Sequence, residues 1–391
     1  MKSFALAAFV AAVVSVLAPI AAAADGRVIV RYRTGASAGK RRASIRAIGE
    51  AQVVGAVRGQ GTRVLRVPGG AWEAAQRLAH APGVAWAEPD FELRALDVPD
   101  DPLFDQLGGL GLMRVQAAWE SLGLSPGYPR DGGAPVAVID TGVDSAHEDL
   151  GGKARECASS VNGAIEEGRC ADDEGHGTHV AGTIAAIAGN GAGIAGVAFD
   201  SPLIVCKALG SDGSGGTSDV ASCIAWAHSR GAKVISLSLG GPPSNTLRAA
   251  VKAAWAGGRR DGSVIVAAAG NDGDAGTDFP AGYPEVVSVA AVDDAGSRAV
   301  FSNANEDVEV AAPGVDVLSA KAGGGYVRMS GTSMATPNAA GAAALEWAAH
   351  PRSAARRIRD LLDGLGADAG PAGRDPEYGY GILDLARLAD Q

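Results

Sequence analysis

Apolar and polar positions change their rhythm twice along this 391-residue chain. Residues 27–33 (R-V-I-V-R-Y-R) alternate with period two, the pattern of a half-buried strand. Residues 71–80 have helical spacing, and Pro82-Gly83 stops them. Residues 84–93 return to a strand pattern, and the acidic, proline-punctuated stretch 97–106 reads as a linker. Beyond it come short, continuous apolar runs at 136–139, 203–205, 234–239, 264–267 and 286–290, several of them separated by alanine-rich helical stretches. Such runs predict an α/β fold of three layers, in which helices cover both faces of a mostly parallel sheet. Sheets of that kind carry their sites at the carboxyl ends of strands.

Composition allows one large domain and a small one, since 47% of the residues are hydrophobic and 20% charged. The net charge of −10 argues against nucleic acid as a partner. That charge is unevenly spread: residues 25–96 hold 12 basic and 6 acidic side chains, whereas 97–391 sum to −17. Opposite signs on consecutive segments predict that the two dock on each other. At the start, Lys2, the apolar run 4–20 and Ala22-Ala23-Ala24 read as a signal peptide over 1–24, with a membrane anchor as the alternative. Removal of that segment leaves an exported protein, extracellular or periplasmic, with no stable membrane association. Export permits disulfides, and the four cysteines allow three connectivities. A Cys157–Cys170 bridge would tie down the polar excursion between them, and Cys206 could pair with Cys223 from a strand to the following helix. Four thiols packed in the core are the plainer possibility. No zinc spacing accompanies them.

Four polar residues sit where elements begin or end. Asp140 closes the strand P-V-A-V-I-D, where a turn or cap carboxylate is the plain reading. His176 lies in D-D-E-G-H-G-T-H, just where a helix pattern begins; His179, one turn on, reads as a structural hydrogen-bonding residue. Ser333 opens a helix in S-G-T-S-M-A-T-P, a position that usually means an N-cap. The same place would aim a backbone N–H and the helix dipole at a developing oxyanion, and Pro337 is expected within the first turn. Asn271 follows the strand V-I-V-A-A-A-G and could add a side-chain donor.

Together, D-T-G-V-D, H-G-T-H-V-A-G-T, A-A-A-G-N and G-T-S-M-A-T-P stand in the order of the subtilase family, and the chain resembles that family over nearly its whole length. The resemblance implies a secreted serine endopeptidase. Asp140 would orient His176, His176 would act as general base and Ser333 as nucleophile, with Asn271 in the oxyanion hole. It implies that Ser238, Leu239 and Gly240 pair with an extended substrate, and that residues 25–96 are an inhibitory propeptide preceding a catalytic domain, 97–391. It also implies a structural calcium ion held by Asp101, Asp149 and Asn190. The position of Asp278, before an aromatic-proline pair, corresponds to the base of the primary specificity pocket. With Asp272 nearby, its carboxylate predicts a preference for Lys or Arg before the scissile bond; outward rotation of Asp278 and broad specificity is the alternative. Asn338 departs from the histidine often found there, and the 157–170 excursion is longer than a minimal member needs. Partners are then polypeptide substrates and the chain's own propeptide, acting on a monomer. Two other readings are weaker. A catalytically inactive peptide-binding protein would not need all four positions filled, and a lipase would need a second glycine in G-T-S-M-A. The G-x-G-x-x-G at 191–196 follows a helix pattern, so it does not indicate a dinucleotide site.

Overall fold

The computed structural model describes residues 23–49, 51–57, 61–68, 70–91, 99–126 and 132–390. The expected signal peptide therefore lies almost wholly outside the described residues. Two compact units divide the chain, 1–95 and 96–391.

In the first unit, β1 (Ala23–Tyr32), α1 (Ala38–Arg46), β2 (Gln52–Gly55), β3 (Thr62–Arg66), α2 (Ala71–Ala79) and β4 (Val84–Phe91) follow a β-α-β-β-α-β plan. The strands form an antiparallel sheet in the order β2-β3-β1-β4. Val28, Val30 and Tyr32 are buried, as the period-two pattern predicts. Ala71, Ala74, Ala75 and Leu78 form the buried face of α2, because spacings of three and four return to one side of a helix.

In the second unit, the short helices α3 (Gly108–Leu112) and α4 (Val115–Ser121) precede β5 (Val136–Asp140), β6 (Ala154–Val161) and β7 (Ala164–Glu167). Then come α5 (His176–Ala185), β8 (Leu203–Lys207), α6 (Thr217–Ser229), β9 (Val234–Leu237), α7 (Asn245–Trp255), β10 (Val264–Ala268), β11 (Val286–Val292) and β12 (Val308–Pro313). A two-stranded ribbon, β13 (Val317–Ala320) with β14 (Tyr326–Met329), leads into α8 (Thr332–Ala349) and α9 (Ala355–Gly364). Two-residue strands β15 (Gly366–Ala367) and β16 (Ile382–Leu383) finish the sheet, whose order is β15-β16-β12-β11-β10-β9-β5-β8-β6-β7. Its interior pairs are parallel, and antiparallel pairs stand only at the two edges. β5, β9, β10 and β11 are buried along their whole length, which is why they read as almost wholly apolar runs. Truncating one such side chain, Ile265→Ala, would cost about 2–5 kcal/mol in lost burial and an unfilled cavity.

β5 is the first strand of the sheet yet lies inside it, between β9 and β8. Chain progression runs outward from it in both directions, and this switch point opens a crevice at the strands' carboxyl ends. The polar excursion is the β6–β7 hairpin, closed by a Cys157–Cys170 disulfide. A second disulfide, Cys206–Cys223, ties β8 to α6. No helix among the described residues is long and apolar enough to cross a membrane.

Candidate active site

β5 delivers Asp140, 1% exposed, to the crevice. Its Oδ1 accepts the Thr141 N–H at 2.7 Å and the His176 Nδ1–H at 2.8 Å. That contact fixes the tautomer and leaves Nε2 as the ring's acceptor. His176 is the first residue of α5, and it reaches Asp140 because the next residue has no side chain. A Cβ on Gly177 would stand 2.2 Å from the Gly142 carbonyl and 3.2 Å from Asp140 Cβ. Gly142 is confined in turn, with φ of +119° and a Cβ position 2.6 Å from the Cys170 carbonyl. Burial disfavours the charged His176 ring, but Asp140, with Glu174 and Asp172 behind it, outweighs burial and raises the pKa above the ordinary 6.5. His179 donates its Nε2–H to the Val317 carbonyl, 3.0 Å away, and burial pulls its pKa down to about 4.

Asp172, which the sequence pattern did not single out, holds this corner together. Oδ1 accepts from Thr141 Oγ1 (2.8 Å), Glu174 N–H (3.1 Å) and Gly175 N–H (2.9 Å). Oδ2 accepts from Thr178 N–H (2.9 Å) and Thr178 Oγ1 (2.5 Å). Thr141 Oγ1 also accepts the Gly177 N–H at 2.8 Å. One carboxylate thus joins the end of β5 to the start of α5. Burial pushes its pKa up, but these donors prevail and hold it below the usual value. The sequence signal was an acidic residue two to six positions ahead of the orphan N–H groups of a helix start.

Ser333 is the second residue of α8. Its Oγ–H donates to the Ser238 carbonyl at 3.2 Å, while Ser238 Oγ–H donates to the Ser333 carbonyl at 2.8 Å. That second bond corrects the expectation for Pro337. It is the sixth helical residue rather than part of the first turn, and its missing N–H would have bonded the Ser333 carbonyl. Ser238 takes the vacated acceptor instead. Asn271 Oδ1 accepts both the Thr332 N–H (2.8 Å) and Thr332 Oγ1–H (2.9 Å), which fixes the amide's orientation and turns Nδ2 the other way. Among the described residues, neither Asn271 Nδ2 nor the Ser333 N–H has a hydrogen-bond partner. A Cβ on Gly331 would lie 3.6 Å from that Ser333 nitrogen and 3.7 Å from Nδ2, so only glycine leaves the space before both donors open. Asn338 is buried and donates to the Pro313 and Met334 carbonyls at 3.0 and 3.1 Å.

A cleft of about 460 Å³ runs past these groups, lined by His176, Glu174, Leu209, Ser238, Leu239 and Gly240 among others. Two reciprocal hydrogen bonds between Gly241 and Phe279, 3.0 and 2.9 Å, carry Asp278 against the lining strand. A Cβ on Gly240 would meet Asp278 Cβ at 3.1 Å, and one on Gly270 would meet its Oδ2 at 2.4 Å. Asp278 is therefore turned inward beneath the two strand ends, and it is half-buried. Burial, then Asp272 and Asp274, raises its pKa. Glu174 also escaped the sequence reading; its Oε2 accepts the His176 N–H at 2.7 Å.

Asp101, Asp149 and Asn190 come together away from the cleft. Asp101 accepts the N–H groups of Gly189 (2.7 Å) and Asn190 (3.2 Å). Asp149 accepts from Asn190 Nδ2 (2.9 Å), Ile194 N–H (3.0 Å) and Tyr326 O–H (2.8 Å). Both carboxylates are buried, and burial raises both pKa values, that of Asp101 to about 6. Two buried carboxylates raised by desolvation, Asp101 also by the charge of Asp149, are hard oxygen donors of the kind a divalent cation takes, while Asn190 turns its Nδ2 and not its oxygen toward Asp149.

The chain belongs to the subtilase family, whose model matches residues 131–381. It is a subtilisin-like serine protease, and the fervidolysin N-terminal prodomain model matches residues 12–90. A thermophilic serine proteinase of Bacillus sp. (strain AK1) is 39% identical over 325 residues, covering 82% of this chain and 77% of that protein. Subtilisin of Bacillus pumilus is 43% identical over 259 residues, 65% of this chain and 90% of that one. Among solved structures, a protease from Pseudoalteromonas arctica PAMC 21717 superposes with a TM-score of 0.66 at 31% identity, over 75% of this chain and 99% of that one.

Proposed function

We propose that the protein is a secreted serine endopeptidase, released from a zymogen by its own activity, in which Asp140, His176 and Ser333 are the catalytic triad. A substrate peptide lies extended along Ser238, Leu239 and Gly240 as an added strand. Ser333 Oγ turns from the Ser238 carbonyl to attack the scissile carbonyl, and His176 Nε2 takes its proton. Asp140 holds the imidazole and stabilises its charge. Negative charge then develops on the carbonyl oxygen, in front of the Ser333 N–H and Asn271 Nδ2, which stabilise it. Collapse expels the amine, protonated by His176, and leaves an acyl-enzyme on Ser333. Water deprotonated by the same ring releases the acid.

The observation that carries this reading is the pair of unengaged donors flanking a serine hydroxyl at a helix start. Titration with a serine-directed phosphonate tests it: one equivalent should abolish activity and modify Ser333. A Ser333→Ala protein that still cleaves casein near the wild-type rate would refute it.

Asp278, half-buried with no cationic partner among the described residues, supports a preference for Lys or Arg immediately before the scissile bond. Asp101, Asp149 and Asn190 would hold a calcium ion that supplies structural charge compensation and no chemistry. Residues 25–96 act as the inhibitory propeptide of a monomeric enzyme, and 97–391 as its catalytic domain. Export follows from the segment 1–24, after whose removal no membrane association remains. The net charge of −10 leaves nucleic acid out of its partners.

A further inference from the structure

We propose that Glu174 is a second specificity-determining carboxylate, so that the preferred substrates are polypeptides with two consecutive basic residues before the scissile bond. This rests on the substrate pose given above, in which the chain runs along 238–240.

Side chains of an extended peptide alternate between its two faces. The residue before the scissile bond descends toward Gly240, Gly270 and Asp278. The next residue toward the N-terminus must then point the other way, across the cleft. Facing it there are His176, Leu209 and Glu174. Of the residues lining this cleft, Glu174 alone carries a fixed charge. Its side chain is exposed, and its Oε2 is anchored by the backbone N–H of His176, which keeps the carboxylate beside the catalytic residue.

No cation among the described residues of the second unit neutralises it. Lys207 is nearby in the lining of the same corner, but its ammonium is engaged by Asp173 (2.7 Å) and by the carbonyls of Thr141 (2.7 Å) and Leu209 (2.8 Å). Among the described residues Glu174 has no ion-pair partner, and neither has Asp278. Two unpaired carboxylates therefore flank one substrate strand on opposite faces, one residue apart in its register. Leu209 beside Glu174 gives the aliphatic stem of a lysine or arginine an apolar surface while its head reaches the carboxylate. An acidic residue there would meet Glu174 at close range, so discrimination comes from repulsion as well as attraction.

Fluorogenic peptides decide it: acyl-Ala-Ala-Xaa-Arg-coumarinylamides with Xaa as Arg, its neutral isostere citrulline, Ala or Glu. Wild-type enzyme should cleave the Arg peptide about 2- to 5-fold faster than the citrulline peptide in kcat/KM at low salt, the scale of an exposed ion pair. That ratio should shrink toward one in molar salt, and Glu at Xaa should be the slowest. In Glu174→Gln, which keeps an oxygen for the His176 N–H, the ratio should fall to about one at any salt. A wild-type ratio near one overturns the proposal, as does a ratio unchanged in the variant. Because each ratio is taken within one enzyme, a change in overall activity cancels; if the variant does not fold, the wild-type ratio and its salt dependence decide alone. A parallel series varying the residue beside the bond separates the two readings. Equal cleavage after Phe removes the role of Asp278 and leaves the Xaa ratio legible, whereas failure to cut any peptide removes both.

Discussion

Replacing Asp172 by alanine tests how the active corner is built. The substitution deletes five accepted hydrogen bonds, three from the backbone N–H groups of Glu174, Gly175 and Thr178 and two from the hydroxyls of Thr141 and Thr178. Losing the acceptor of a helix-start N–H costs about 0.5–2 kcal/mol, and charge-assisted bonds are worth about 1.5–3 kcal/mol each. The side chain is only half-buried, so water replaces part of this, and a net loss of about 2–3 kcal/mol is expected. In a unit this large, that corresponds to a melting temperature lower by roughly 5–10 °C. Differential scanning calorimetry on a Ser333→Ala background measures it without self-digestion. In the active background, kcat/KM should fall by roughly 10- to 100-fold, because His176 and the Thr141 turn lose their common tether and ångström-scale misplacement is costly. Asp172→Asn keeps one acceptor oxygen and should fall between. The pKa of Asp172 is held below its usual value, so its contribution is present above the unfolded value of 3.8 and vanishes as pH falls through the lower folded one. A melting temperature within about 1 °C of the parent, with kcat/KM within about twofold, would refute the tethering argument.

With His176 as the proposed general base, activity would require its neutral form, and because its pKa is raised the acid limb of kcat/KM should lie above the ordinary 6.5. The same shift stabilises the fold fully below 6.5 and is lost as pH rises through the folded value; an acid limb well below 6 would contradict the contact with Asp140. Chelator should lower the melting temperature of the wild type, and Asp149→Asn should abolish most of that difference; no response in the wild type removes calcium from Asp101, Asp149 and Asn190. Self-release should cut between Leu93 and Asp101, which N-terminal sequencing of active enzyme checks. Fully active enzyme beginning at Asp25 would end the propeptide assignment.

The buried strands were legible because a strand covered on both faces leaves few polar positions, and β5, β8, β9, β10 and β11 carry at most one each. β6 and β7 did not, since they form an edge hairpin with polar residues at most positions. Its turn was nevertheless written as Asn162-Gly163, both at positive φ, the strongest local hairpin signal available. The positions of Asp140, His176, Ser333 and Asn271 followed from glycine-rich element ends. Asp172 and Glu174 were overlooked because most of their partners are backbone groups, which carry no sequence signature of their own. Pro337 was misplaced by half a turn or more, because the helix start was taken too late and the acceptor it frees, the Ser333 carbonyl, is taken by the hydroxyl of Ser238.

The nested glycines at 142 and 177 bear on how such an enzyme can change. Any side chain at either position collides with main-chain carbonyls, which cannot rotate away, so a single substitution there has no viable intermediate to pass through. Gly331 is bound in another way, since its Cβ would fill the space before the two donors. Glu174 and Asp278 have no such constraint: one is a side chain in the wall of the cleft and the other a side chain beneath Gly240 and Gly270, each replaceable without moving a backbone atom. Heredity can therefore edit which peptides are cut while the machinery that cuts them is locked, and new specificities on this scaffold are reachable by single steps at the walls.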